Sequence, residues 1–262
     1  MASTTPKRLI EVVYEDFARE YLRSLPLEHF MESKSQATQR AITVASLELV
    51  KAQRPDFHVF SEMLVQYPRV GERRPGQVVP DNMVVVAKAP PRAELSYSTP
   101  VEDKGPFWVM EYVSKGSRRK DYDESFDKYE RALKVPYYLT FYPDTQDLTL
   151  YHHDGKKYVT VRPNKHERYA VRELKIEVAL LDGWVRFWYR GELLPLPAEM
   201  QQELDKVRRQ VEQERQRAEQ ERERAERERE RADELQQRLA QEHEELERLR
   251  ALLKQRGNGK QA

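Results

Sequence analysis

Two carboxylates sit beside short apolar runs that have the composition of buried β-strands. Asp81 interrupts the run Val78–Val86, and Glu111 lies within the run Phe107–Val113. Adjacent strands that hold two carboxylates over a shared cleft form a natural site for a divalent cation. Oxygen ligands suit Mg²⁺, which usually takes one or two protein carboxylates and keeps water and substrate phosphate as its other ligands. The pair therefore predicts a magnesium (or manganese) site.

Glu111 is harder to explain as an ordinary surface residue than Asp81 is. Strand alternation places it on the same face as Val109 and Val113, where an unpaired carboxylate is costly to bury. This position favours a partner or a bound cation over the alternative of a side chain that faces solvent. Asp81 follows Pro80, and a turn at the edge of a strand is an alternative explanation for these two residues.

A basic, hydroxyl-rich segment follows Glu111 and leads into a predicted helix. Its cationic residues are Lys115, Arg118, Arg119 and Lys120. A helix N-terminus with this many donors suits the phosphate backbone of a nucleic acid. An ordinary solvated loop is the alternative, and composition alone favours it.

The first 196 residues alternate between helical and strand-like patterns, and Asp-Gly pairs indicate two hairpins. The predicted elements are helices at Tyr14–Ser24 and from Ser33 or Ser35 to Arg54, strands at Phe57–Tyr67, Val78–Ala87 and Phe107–Val113, a helix at Arg119–Leu133, and strands at Val135–Phe141, Leu148–His152, Lys157–Val161, Ile176–Leu181 and Trp184–Tyr189. This order indicates an α/β or α+β layered core. The pairing order of the strands is not visible in the pattern.

The composition limits the classes of protein that the chain can represent. Charged residues make up 35% of the 262 positions, but the formal net charge is only +1, so bulk electrostatic attraction to nucleic acid is weak. The absence of cysteine excludes disulfides, thiolate zinc sites and cysteine nucleophiles. No run approaches the roughly 20 apolar residues of a membrane span, and no signal peptide is visible. We expect a soluble, cytoplasmic protein.

The region after Pro197 is rich in Glu, Arg, Gln, Ala and Leu and has a seven-residue period. Every seventh residue from Leu204 to Leu253 is apolar, whereas the second seam carries Glu at its centre. A heptad seam predicts a coiled coil and hence a homodimer through this helix, mainly at the leucine-rich end Leu235–Leu253. Glu and Arg three to four residues apart would also support a solvated single helix, which is the alternative.

The order of these features resembles the Uma-type restriction endonuclease family, which has the PD-(D/E)XK nuclease fold. The matching residues are Pro80, Asp81, Glu111, Val113, Ser114, Asp121, Tyr129, Val135, Pro136 and Tyr138. The resemblance implies a restriction-endonuclease-like domain over residues 8–197, a mixed central sheet flanked by helices. A charged coiled-coil helix at 198–256 and a disordered tail at 257–262 would follow it.

The resemblance also implies an activity, Mg²⁺-dependent hydrolysis of DNA phosphodiester bonds, with Asp81 and Glu111 as metal ligands. The family's lysine is absent from both places where it is expected, which hold Val113 and Ser125. Lys128, three residues further along the helix, is the substitute we predict. A catalytically inactive binding or scaffold protein, which oligomerises through its coiled coil, is the competing hypothesis.

Overall fold

The computed structural model describes residues 7–26, 33–113 and 124–258. Its elements are, in chain order, α1 (Lys7–Ser24), α2 (Lys34–Lys51), β1 (Phe57–Ser61), β2 (Val65–Tyr67), β3 (Gly76–Val78), β4 (Asn82–Val86), β5 (Tyr97–Ser98), β6 (Trp108–Tyr112), a π-helix (Lys128–Leu133), β7 (Tyr137–Tyr142), β8 (Asp147–His153), β9 (Tyr158–Thr160), β10 (Tyr169–Val171), a 3₁₀ turn (Arg172–Leu174), β11 (Ile176–Leu181), β12 (Trp184–Tyr189), β13 (Glu192–Leu193) and α3 (Pro197–Asn258). The chain divides into two compact units, Met1–Glu199 and Met200–Ala262.

A six-stranded mixed sheet forms the centre of the first unit, in the order β1-β4-β6-β7-β8-β9. Its neighbouring strands are antiparallel except for β6 and β7, which run parallel. A four-stranded sheet (β10-β11-β12-β13) and a three-stranded sheet (β3-β2-β5) accompany it. The predicted fold class, a mixed sheet flanked by helices and followed by a long C-terminal helix, is confirmed.

Successive side chains of the central strands point to opposite faces of the sheet, and each face belongs to a separate hydrophobic core. On one face, Trp108 and Met110 of β6 pack with residues of α2 and of the four-stranded sheet. On the opposite face, Val109 packs with Tyr129 and with residues of the three-stranded sheet. The central strands are therefore covered on both faces, and polar groups there need specific partners.

Helix α2 is attached to the four-stranded sheet by one buried polar side chain. Ser33 begins the helix, and its hydroxyl accepts a hydrogen bond from the Gln36 backbone N–H at 3.2 Å. One turn later, the Gln39 amide accepts from the Val185 backbone N–H at 2.9 Å and donates to the Val185 carbonyl at 3.1 Å. This two-point bond satisfies a strand residue that would otherwise have unpaired buried groups.

Two predicted strands are each broken in two, and these corrections matter for the site. The predicted strand Phe57–Tyr67 is divided at Glu62, whose φ of 50° turns the chain from the central sheet into the small one. The predicted strand Val78–Ala87 is divided at Pro80–Asp81, because proline has no N–H to donate to a ladder. Asp81 therefore lies immediately before β4, and not within a strand.

Helix α3, which contains the described residues of the second unit, has clear local causes for its beginning. Proline occupies the first helical position, and the Glu199 carboxylate accepts a hydrogen bond from the Leu196 N–H at 2.6 Å. Ion pairs three and four residues apart, such as Arg227 with Glu223 at 2.9 Å, support the exposed helix. The helix ends at Asn258, two residues beyond its predicted end, and residues 259–262 lie outside the described part.

The helices that the structure describes include none that is both long and apolar enough to cross a membrane.

Loss of the Gln39 amide will destabilise the first unit, because both backbone groups of Val185 would stay buried without partners. We expect Gln39→Ala to lower the free energy of unfolding by about 2–4 kcal/mol. Chemical denaturation measures this change, with Gln53→Ala in the exposed turn after α2 as the matched control. Equal unfolding midpoints for the two variants would contradict the role assigned to Gln39.

Candidate active site

Asp81 and Glu111 face each other across two neighbouring antiparallel strands. Asn82 of β4 pairs with Met110 of β6, so Asp81, one residue earlier, lies opposite Glu111. Side chains directly opposite in an antiparallel pair have Cβ atoms about 4.5–5.5 Å apart. The two carboxyl groups lie within hydrogen-bonding reach of each other. We call Asp81 and Glu111 the carboxylate pair.

Three elements hold Asp81 in place. Its Oδ2 accepts a hydrogen bond from the Tyr112 backbone N–H at 2.6 Å, and the Gln36 amide of α2 lies 3.5 Å from its Oδ1. Its own backbone carbonyl accepts from the Glu62 N–H at 3.2 Å. The backbone of β6 and the amide of α2 therefore help to position this carboxylate.

A buried tyrosine holds Glu111. The Tyr129 hydroxyl donates to Glu111 Oε1 at 2.5 Å, and the tyrosine is 0% exposed. Glu111 itself is partly buried, on the face of β6 that it shares with Val109. Its surroundings are thus apolar apart from Tyr129 and Asp81, as the alternation of the strand predicted.

The electrostatics of the carboxylate pair favour a cation. Burial, followed by the neighbouring charge of Asp81, raises the pKa of Glu111 well above its ordinary value, and the Tyr129 hydrogen bond acts in the opposite direction. Burial and the charge of Glu111 likewise raise the pKa of Tyr129, which stays a neutral donor. Two adjacent carboxylates can both ionise at low cost only when a positive charge joins them.

The donor set fits a hard divalent cation. Across residues 7–26, 33–113 and 124–258, no group of three or more acidic or histidine side chains could hold a metal ion. Two carboxylates offer only oxygen ligands, and such ligands suit Mg²⁺ or Mn²⁺. These ions keep several water molecules as their other ligands. Asp81 and Glu111 are the residues that would hold such an ion.

The other predicted site residues are not seen in contact with the carboxylate pair in the described part of the chain. Lys115, Arg118, Arg119 and Lys120 lie outside the described residues. Lys128 is partly buried at the start of the π-helix, but among the described residues no ion pair joins it to Glu111. Within the π-helix, the neighbouring Tyr129 contacts Glu111.

Sequence reasoning missed the contact of Gln36 with Asp81. Gln39, one turn further along α2, is buried against Val185 instead. Helical periodicity separates the buried face from the exposed face, but it does not show which first-turn residue meets Asp81.

A second charged contact lies one turn along α2 from Gln36. Arg40 forms an ion pair with Glu62, the residue at which β1 ends with a positive φ. Because the Glu62 N–H is bonded to the Asp81 carbonyl, this ion pair helps to hold the turn that carries Asp81. Glu62 thus belongs to the support of the site.

The raised pKa of Glu111 predicts a pH-dependent stability for the metal-free protein. In the unfolded chain Glu111 releases its proton near pH 4.3, whereas in the folded chain it keeps the proton to higher pH. The free energy of unfolding therefore decreases as the pH rises from the unfolded pKa to the folded pKa. Glu111→Gln imitates the protonated side chain and removes this loss. We expect the variant to gain on the wild type as pH rises from 5 to 8, by at most about 1.4 kcal/mol per pH unit.

Thermal unfolding in a chelator measures this difference, with Glu192→Gln on the exposed strand β13 as the control. Parallel stability curves for the wild type and Glu111→Gln would show that Glu111 ionises freely in the folded state.

The match to a family model agrees with the resemblance. A family model described as "Uma2: Putative restriction endonuclease" matches residues 28–181. A solved structure described as a "putative nuclease belonging to DUF820" from Anabaena variabilis ATCC 29413 is 15% identical, with 55% of this chain and 75% of that chain covered and a TM-score of 0.42. None of the curated proteins compared with the chain matches it. Because the family match spans more than half of the sequence, the chain belongs to the Uma2 restriction endonuclease family.

Proposed function

We propose that the protein is a metal-dependent endonuclease that hydrolyses DNA phosphodiester bonds. The observation that carries this proposal is the position of the carboxylate pair, with Asp81 directly before β4 and opposite Glu111 of β6, in a member of a restriction endonuclease family. The family supports a nuclease; the metal, the residues and the substrate are our inference.

Asp81 and Glu111 would bind one Mg²⁺ or Mn²⁺ ion. Such an ion polarises a phosphoryl oxygen and lowers the pKa of a bound water. The chain's own contribution is to fix the two ligands. The Tyr112 N–H holds Asp81 at 2.6 Å, and the Tyr129 hydroxyl holds Glu111 at 2.5 Å. A ligand that is already oriented loses little entropy when it binds the ion.

Lys128 remains our candidate for the positive group that stabilises the charge on the reacting phosphate. It precedes Tyr129, and its long side chain can reorient when DNA approaches. Lys115, Arg118, Arg119 and Lys120 would contact the DNA backbone, since they follow Glu111 along the chain. These assignments rest on the sequence order and on the family.

The C-terminal helix would join two copies of the chain, which suits an enzyme that cuts both strands of a duplex. Its exposed apolar residues lie on the heptad seam, and they include Leu204, Val211, Leu235, Leu239 and Leu246. Each of these side chains is 45% exposed or more. Contact with the same seam of a second copy would bury them.

Nicking of supercoiled DNA tests the enzymatic proposal. We expect the wild type to nick DNA with Mg²⁺ or Mn²⁺, and Asp81→Asn and Glu111→Gln to lower the rate at least 100-fold because each removes a charged ligand. Lys128→Ala should lower the rate by roughly 100-fold or more with metal affinity unchanged. Asp147→Asn, an exposed carboxylate on β8, is the matched control.

Equal nicking by the wild type and both carboxylate variants would show contamination and remove the enzymatic proposal. No nicking by the wild type, together with no detectable metal binding, would favour the scaffold hypothesis. The departures at Val113 and Ser125 are the observation that keeps this alternative open.

Sedimentation of the full chain tests the dimer. We expect the wild type to sediment as a dimer and the double variant Leu239→Glu, Leu246→Glu to sediment as a monomer, because charges at seam positions are costly to bury. Gln237→Glu with Gln241→Glu adds the same charge off the seam and should stay dimeric. A monomeric wild type, or a double variant of unchanged size, would refute association through the helix.

A further inference from the structure

Tyr129 is the most completely buried polar side chain at the candidate site. It is 0% exposed, and the described contact of its hydroxyl is the 2.5 Å hydrogen bond to Glu111 Oε1. A tyrosine hydroxyl in an aromatic core usually bonds to whichever nearby group can accept its proton, because an unpaired buried hydroxyl is costly. Here the partner is one member of the carboxylate pair, so the bond also determines where that carboxylate points.

The backbone fixes Tyr129 through an unusual helix end. Tyr129 lies in the π-helix Lys128–Leu133, and its carbonyl accepts the N–H of Lys134, which has the left-handed conformation with a φ of 50°. The same carbonyl accepts the N–H of Val135 at 3.0 Å. π-helical turns are rare and less stable than α-helical ones, and they frequently occur at functional sites. The placement of the Tyr129 side chain can explain why one occurs here.

Packing fixes the ring as firmly as the backbone does. The Tyr129 ring lies 5.0 Å from the Tyr138 ring, centroid to centroid, and both side chains are 0% exposed. Val109, which shares the face of β6 with Glu111, belongs to the same core. A ring held by both its backbone and its neighbours keeps its hydroxyl at a nearly constant position.

We propose that Tyr129 is a positioning residue that orients Glu111 for divalent cation binding. The hydroxyl occupies one lone pair of Oε1 and so fixes the orientation of the carboxylate opposite Asp81, with which it would share a cation. This inference rests on the proposed function, since it assumes that the pair binds a cation.

Partners that orient metal ligands in this way change metal affinity by about 10–100-fold when they are removed. We therefore expect Tyr129→Phe to bind Mn²⁺ about 10–100-fold more weakly than the wild type, measured by calorimetric titration of the full chain. The substitution keeps the ring and removes the hydroxyl.

Tyr158→Phe is the matched control. Tyr158 belongs to the same aromatic core, and its hydroxyl donates to the Val135 carbonyl at 3.0 Å, not to a carboxylate. Both variants lose a buried hydroxyl, so both lower the unfolding temperature, but only Tyr129→Phe should weaken Mn²⁺ binding. Replacement of Tyr129 by 4-aminophenylalanine, which retains a weaker donor, should give an intermediate affinity and serves as well if the phenylalanine variant fails to fold.

The outcomes separate this inference from the proposed function. A wild type that binds no Mn²⁺ overturns both. A wild type that binds Mn²⁺, with unchanged affinity in Tyr129→Phe, overturns the role of Tyr129 alone. Equal weakening in Tyr129→Phe and Tyr158→Phe also overturns it, because it would show a general effect of core packing.

Discussion

Two acidic side chains held side by side, Asp81 directly before β4 and Glu111 on β6, are the constraint on which the rest of the structure depends. Like charges directly opposite each other destabilise an antiparallel pair, and burial increases the cost of ionising them. The raised pKa of Glu111 expresses that cost. The cost is understandable if the pair serves to bind a cation.

The surrounding elements can be understood from their contact with this pair. Proline at position 80 ends the ladder so that Asp81 precedes β4, and the Glu62 turn bonds to the Asp81 backbone. Helix α2 contributes Gln36 to Asp81, while the buried amide of Gln39 attaches the same helix to β12. The π-helix brings a tyrosine to Glu111 from the opposite side of the sheet. Elements distant in sequence thus converge on two side chains.

The sequence predicted the parts of this arrangement that depend on local chemistry. A carboxylate within an apolar run identified Glu111, and the Asp182–Gly183 pair, with φ values of 54° and 79°, forms the predicted hairpin turn. The break at Glu62 was not predictable, because apolar residues resume directly after it and its ion pair is with Arg40 of a helix that is distant in sequence. The contact of Gln36 was missed for the same reason. Non-local pairing decides these features, and periodicity does not contain it.

The central claim is that a single cation joins Asp81 and Glu111, and anomalous X-ray diffraction from crystals grown with Mn²⁺ tests it most directly. The account predicts one strong anomalous peak at about 2.0–2.3 Å from oxygens of both carboxylates, as expected for a small divalent ion with oxygen ligands. The absence of a peak between them at saturating Mn²⁺, with the two carboxyl groups still within hydrogen-bonding reach of each other, would contradict the claim.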